Sequence, residues 1–177
     1  FTNYQSDLGF FTKLDHIRDF NQQGEKLIES YYNNRKNLIS GISRIDSNGI
    51  IQYTFPYDSS SIGKDISYQK HVDLIRLTHQ PVISDVFTAV QGYATIALHF
   101  PIFNDKKYVG SIAILIPIDK LGERFLDKIN IKGIGDAWIL SEKLIEVYCP
   151  YQEHIGNTYL DNMANNHEAI NFAETIR

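Results

Sequence analysis

The sequence predicts an α+β fold: a long N-terminal helix packed on a five-stranded antiparallel sheet, followed by a partial second unit of the same kind. Three observations predict it. Apolar residues recur every three or four positions up to about residue 39, then follow a strand-like pattern from Gly41. The segments after Gly41 come in the order two strands, a short helix, then further strands. A strand–turn–strand pattern at 45–63 returns in related form at 139–156.

The leading helix rests on Phe1, Tyr4, Leu8, Phe11, Leu14 and Ile17, resumed by Leu27, Ile28, Tyr31, Tyr32, Leu38 and Ile39. No proline interrupts this stretch, and Gly24 is its one weak point. A continuous helix over 1–40 would be roughly 55–60 Å long, a length that suits a stalk. The alternative is two helices with a bend near Asn21–Gly24. Gly41–Asp46 and Ile50–Phe55 read as strands flanking a Ser47-Asn48-Gly49 turn, where Gly49 supplies a positive φ. Pro56 to Lys64 is a loop. Tyr68, Val72 and Ile75 mark one face of a short helix that ends before Pro81. Val82–Val86, Tyr93–Phe100 and Tyr108–Ile116 read as three more strands, with turns at Gln91-Gly92 and Asn104-Asp105-Lys106, and Ile118–Leu126 as a helix.

Residues 127–177 begin the pattern again. Gly135–Leu140 reads as a strand, Ser141–Lys143 as a turn, Ile145–Tyr148 as the paired strand, and Thr158 to Ile176 as a helical stretch. The alternative for this part is an unrelated C-terminal extension. The domain organisation is therefore a stalk helix at 1–40, a sheet domain at 41–126 and a partial repeat at 127–177.

Composition narrows the function classes. The chain has 177 residues, 43% of them hydrophobic and 12% aromatic, which supports a packed core and argues against disorder. A net charge of −4 argues against a dedicated nucleic-acid binder. A single cysteine, Cys149, rules out an internal disulfide. The longest apolar run, Ile112 to Ile118 with a proline inside it, is too short to span a bilayer. The chain does not begin with Met, and it reads as a piece of a longer protein whose membrane spans lie in flanking segments.

The stretch Arg44-Ile-Asp-Ser-Asn-Gly-Ile-Ile-Gln-Tyr-Thr-Phe-Pro, with Ile62-Gly63-Lys64-Asp65-Ile66-Ser67, resembles the Cache family of PAS-like extracytoplasmic sensor domains. Gln80–Phe87, Pro101-Ile102 and Tyr108–Ile112 fit the same family in order and spacing. The resemblance covers residues 1–125, and Gly135–Gly156 is similar to the opening of the second unit of double-Cache proteins. It implies a small-molecule ligand (an organic acid, amine or amino acid), a signal passed through the long helix into the membrane, and a histidine kinase, chemoreceptor or diguanylate cyclase as the parent. Of these a two-component histidine kinase is the expectation. The amino-acid-binding branch has an Arg-x-Trp pair near the short helix, a Tyr on the third strand and an Asp late on the fifth. Here Tyr68-Gln69-Lys70-His71, Phe87 and Leu115 stand in those regions. The arginine that would clamp a carboxylate and the aspartate that would pair an ammonium are both missing.

The ligand pocket is expected between the short helix, the loop before it and the last three strands. Its candidate residues are Tyr68, His71, Asp85, Phe87, Tyr93, Thr95 and His99. Tyr93, Thr95, Ala97 and His99 share one strand face by the period of two. The competing reading turns these side chains to solvent or the core edge, and gives Asp85 a local turn bond beside Ser84. Neither a catalytic residue nor a metal ligand is assigned. The six histidines are scattered, no nucleophile–base pattern exists, and Cys149 reads as an inert buried thiol. No cofactor is expected. Two copies are expected to pair along the long helix. The rival readings are a cytoplasmic PAS-type cofactor or interaction module, an enzyme, and a purely structural spacer.

Overall fold

A computed structural model of the chain describes residues 2–126, 137–149 and 151–162. The N-terminal part is three helices, not one: α1 (Thr2–Phe11), α2 (Asp15–Arg18) and α3 (Gln22–Asn33). The long helix is thereby corrected, and of the two breaks the second falls at the expected bend. At the first, Leu14 is extended. At the second, Phe20 takes a positive φ of 45°. Asn21 then caps α3, its side-chain oxygen accepting from the Gln23 and Gly24 amides at 3.0 and 3.1 Å. A tertiary reason stands behind both breaks. A straight helix from residue 2 to 33 would be about 48 Å long, whereas the longest strands, of 11 residues, span about 36 Å. Leu8, Phe11, Ile17, Ile28 and Tyr31 all bury in one cluster with sheet residues, and only a folded helix brings them all there.

The sheet contains β1 (Gly41–Asp46), β2 (Ile51–Phe55), β3 (Val82–Ile83), β4 (Phe87–Thr88), β5 (Ala94–Asn104) and β6 (Lys107–Pro117). Its order is β2-β1-β6-β5-β3, with β4 also paired to β5, and every described pairing is antiparallel. Helix α4 (Lys70–Thr78) lies between β2 and β3 in the chain, as expected. The expected third strand, 82–86, is corrected to two short pieces, giving six strands in place of five. The cause is Ser84. Its amide donates to the Ala97 carbonyl at 2.9 Å, while its side-chain oxygen accepts from the Ala97 amide at 2.8 Å. With the Ala97 amide satisfied by a side chain, the backbone at Asp85–Val86 leaves the ladder. The first hairpin is as read: the Asp46 carboxylate accepts from the Asn48 and Ile50 amides at 2.9 and 2.8 Å, and Gly49 has φ +93°.

Helix α5 (Ile118–Phe125) leads to the C-terminal unit, where β7 (Ile139–Leu140) and β8 (Glu146–Tyr148) form an antiparallel pair. A 3₁₀ turn (Gln152–His154) and α6 (Tyr159–Asn162) follow. The expected start of β7 at Gly135 and the helical stretch beyond Asn162 lie outside the described residues. Val147 joins the main core beside Ile118 and Leu121. Gly122 of α5 lies so close to the Tyr148 ring that no Cβ fits between them.

Gly24 plays the same part between α2 and α3: a Cβ there would overlap the His16 carbonyl. In an open helix, Gly→Ala stabilises by about 1 kcal/mol. In this chain Gly24→Ala is expected to destabilise by about 1–3 kcal/mol, because two backbones must move apart. Urea unfolding checks the sign, and a stabilised variant would show that α2 and α3 are not in contact.

Candidate functional site

The two faces of the sheet carry side chains of different size. On one, Ile42, Ile96, Leu98, Phe100, Ile112, Ile114 and Ile116 pack on the helices. On the other, Thr54, Ser43, Ala113 and His99 form a row across β2, β1, β6 and β5 through the pairs Ser43–Thr54, Ser43–Ala113 and His99–Ala113. The Ser43 hydroxyl donates to Thr54 Oγ1 at 3.1 Å. Above this row sit His71 of α4, Ile66 and Gln69 before that helix, Phe87 of β4, and the turn residues Ala89, Val90 and Gln91. Small residues below and a cap above leave a cavity of about 30 Å³, room for one or two water molecules.

Two imidazoles dominate it. His71 is 7% exposed and His99 1%. Their ring centres are 5.0 Å apart, and Phe87 lies 4.3 Å from His71 on its other side. His99 Nδ1 is 3.5 Å from the Ser111 hydroxyl, a long contact. Burial lowers the His71 pKa to about 4. Burial, and secondarily His71 itself, holds His99 well below the usual imidazole range. Both rings are therefore neutral at pH 7, each with one donor and one acceptor nitrogen. Gln91 donates its amide NH₂ to Ser61 Oγ at 3.2 Å. Its Oε1 is buried without a partner among the described residues. Among the described residues, no Asp, Glu, Lys or Arg lines the cavity.

Of the expected pocket residues, the structure brings together His71, Phe87 and His99. Tyr68 and Asp85 line, together with His71 and Phe87, a neighbouring open groove of about 520 Å³, and Tyr93 and Thr95 are corrected. Tyr68 is 75% exposed at the rim of that groove and does not reach the enclosed cavity. Asp85 points outward and pairs with Lys143 at 2.7 Å. Tyr93 shares the face of His99, but its hydroxyl donates to Ser40 Oγ at 2.9 Å beside a separate small cluster. Thr95 is buried between strands, its hydroxyl donating to the Ile116 carbonyl at 2.9 Å. The reading missed Ser43, Gln69, Ala113 and Gln91. Alternation along 41–45 and 111–116 places Ser43 and Ala113 on the cavity side. Gln91 sits in a turn and carries no such signal. Outside the cavity, Ile83, Asp85 and Lys143 line open grooves of about 520 and 660 Å³ between the sheet edge and the C-terminal unit.

Because the unfolded chain protonates both histidines near about pH 6.5 and the folded chain resists this down to about 4 at His71, the unfolded state binds more protons in that window. Stability therefore falls as pH drops from about 6.5 toward 4, by up to about 1.4 kcal/mol per pH unit for each histidine. Urea unfolding between pH 7.5 and 5 is expected to show this fall, and His99→Leu to show a shallower one. Equal slopes in the two proteins would contradict neutral, buried rings.

Comparison with known proteins agrees with this architecture. Residues 20–117, more than half the chain, match the family described as HK/GC/Chemotaxis protein-like, sensor domain. An extracellular ligand-binding receptor from Desulfohalobium retbaense is similar at 26% identity and a TM-score of 0.71, over 82% of this chain and 27% of that one. The chain thus spans about a quarter of that receptor's length. The ligand-binding domain of the Pseudomonas fluorescens chemoreceptor CtaA, solved with L-serine, has a TM-score of 0.78 at 11% identity, over 93% of this chain and 70% of that one. A domain of a sensory box/GGDEF family protein from Vibrio parahaemolyticus has a TM-score of 0.70 at 15% identity, over 99% and 77%. These last two share the fold. No curated protein matches the chain by sequence.

Proposed function

The chain belongs to the HK/GC/chemotaxis protein-like sensor-domain family, and from that premise we propose that it is the extracytoplasmic small-molecule sensor of a membrane receptor. The observation that carries the reading is the cavity. A sheet face of small residues lies under a cap that supplies His71, Phe87 and Gln91. The cavity's polar groups are uncharged and one of them, Gln91 Oε1, lacks a partner among the described residues. No helix among the described residues is long and apolar enough to cross a membrane, and the anchoring spans are assigned to flanking segments. The domain itself is read as non-catalytic. The output is read as a histidine kinase within a family that also covers cyclases and chemoreceptors; the intact gene product beyond Arg177 decides this. Pairing of two chains is assigned to α1, where Phe10 is exposed, since no continuous helix is present for it.

The ligand is a small organic acid, and its entry requires the cap over the closed, water-sized cavity to shift outward. The CtaA domain was solved in complex with L-serine, but among the described residues this cavity has neither a cation for an α-carboxylate nor an anion for an ammonium. A monocarboxylate needs less. Two neutral imidazoles can each donate one N–H, and either can take up a proton to balance the buried negative charge. A bare amine would find no anionic partner.

Thermal-shift measurements with short-chain carboxylates, amino acids and amines test this. A saturating acid, at about 100 times its dissociation constant, stabilises by about 2.7 kcal/mol, or several degrees. The shift is expected to grow as pH falls from 8 to 6, with proton uptake approaching one per ligand when titrated calorimetrically in two buffers. Ala113→Val is expected to fold, fill the cavity and lose the shift. A response to amines or amino acids alone would sink the assignment of an acid.

A further inference from the structure

We propose that Glu146, Cys149 and His154, in the C-terminal unit, form a zinc-binding site. Their sequence spacing, Glu-x₂-Cys-x₄-His, matches no common ligand pattern, so the sequence alone gives no sign of it. The fold brings them together. Glu146 begins β8, Cys149 follows the strand, and the 3₁₀ turn at Gln152–His154 brings His154 back over both. One carboxylate oxygen of Glu146, the Cys149 sulfur and one ring nitrogen of His154 all lie within 4.8 Å of one another.

Main-chain bonds build this geometry. The Glu146 amide donates to the Asn157 carbonyl and the Gly156 amide donates back to the Glu146 carbonyl, at 2.9 and 2.8 Å. The His154 amide donates to the Tyr151 carbonyl at 3.0 Å. Asn162 Nδ2 donates to Glu146 Oε1 at 2.9 Å and fixes the carboxylate from outside.

The second observation is what these groups leave open. Glu146 is 0% exposed, yet its Oε2 has no hydrogen-bond partner among the described residues. It points at His154 Nδ1, also buried and without a hydrogen bond, at 3.7 Å. That separation is too long for an N–H···O hydrogen bond. It is close to the edge of a tetrahedron of zinc ligands, about 3.4 Å for Zn–N and Zn–O bonds near 2.1 Å. Asn162 satisfies one carboxylate oxygen only, and a buried oxygen left without a partner costs free energy. Zinc with one thiolate, one carboxylate and one neutral imidazole is electrically balanced, and sulfur and nitrogen donors suit it over magnesium or calcium. The Cys149 thiol donates to the Tyr151 carbonyl at 2.9 Å. On binding, its proton goes to solvent and the sulfur lone pair to the metal.

The whole chain, stripped with a chelator and titrated with zinc against a chromophoric competitor, is expected to take up one zinc per molecule. Cys149→Ser and His154→Gln should each weaken binding by more than about 100-fold, beyond the loss typical of an outer-shell partner. Circular dichroism checks that they fold. Cobalt(II) in the wild-type chain should give a thiolate-to-metal charge-transfer band, a readout that needs no variant. Zinc should also protect Cys149 from alkylation. No zinc uptake, zinc affinity unchanged in both variants, or cobalt binding without the thiolate band would each overturn the site.

Discussion

The structure depends on β5 and β6 being buried on both faces with side chains of unequal size. Along Ser111-Ile112-Ala113-Ile114-Leu115-Ile116, isoleucines point to the helices, and serine, alanine and leucine point to the cap. Strand period makes this an all-or-none property, since a one-residue slip would exchange the faces. It would crowd the cavity and leave the helices on alanines. Register is therefore the quantity to protect, and Arg44 helps to hold it. This buried guanidinium donates to the carbonyls of Ile45 and of Val109, the latter at 3.1 Å. It sits above Gly110, which takes φ +130° and has no room for a Cβ. Phe20, between α2 and α3, lies 6.0 Å from the guanidinium carbon. Burial lowers the Arg44 pKa to about 10, still well above neutrality, so the charge stays and must be met by those carbonyls.

The same packing sets the chemistry of the cavity. Burial keeps the His71 and His99 rings out of bulk solvent, and in a low dielectric a neutral ring is the cheaper form. A site without fixed charge has little to attract a zwitterion but adapts readily to a group that brings a charge, because an imidazole can change protonation where an arginine cannot. Specificity then rests on volume, set by Ala113 and Ser43 below and Val90 above.

The strands were legible in the sequence because alternation survives two-sided burial when one face takes isoleucine and the other small residues. The helix breaks were not. α1, α2 and α3 all bury the same stripe on the same sheet, so apolar residues stay in phase through Thr12–Leu14 and Phe20–Asn21. The second break falls where the alternative reading put a bend, near Asn21–Gly24, and there Asn21 caps α3. The first, at an extended Leu14, has only a threonine before it, whose hydroxyl bonds back to the Gly9 carbonyl at 3.3 Å. The cavity was half legible for a related reason. Period two put Tyr93, Thr95 and His99 on one face, correctly. It says nothing of where along the strand the cap sits, and α4 and β4 cover the His99 end.

The cap is also the less firmly held side of the sheet. The helix side is closed by large apolar contacts from Leu8 to Tyr31. The segment 82–91 is joined to β5 by two strand pieces of two residues each and the two Ser84–Ala97 bonds, and to the rest of the chain by Gln91 to Ser61 and Asp85 to Lys143 of the C-terminal unit. Lys143 is largely exposed, and such a pair contributes at most about 1 kcal/mol. A ligand that touches His71, Phe87 and Gln91 needs only a modest difference in affinity between two cap positions to shift their populations. Asp85 and Ser84, on the outer side of the same segment, line the grooves against the C-terminal unit. A change in the cap therefore meets that unit before it meets the helices. Transmission through one rigid N-terminal helix, natural for a continuous stalk, is harder to sustain when that stalk is three separate helices packed into the main core.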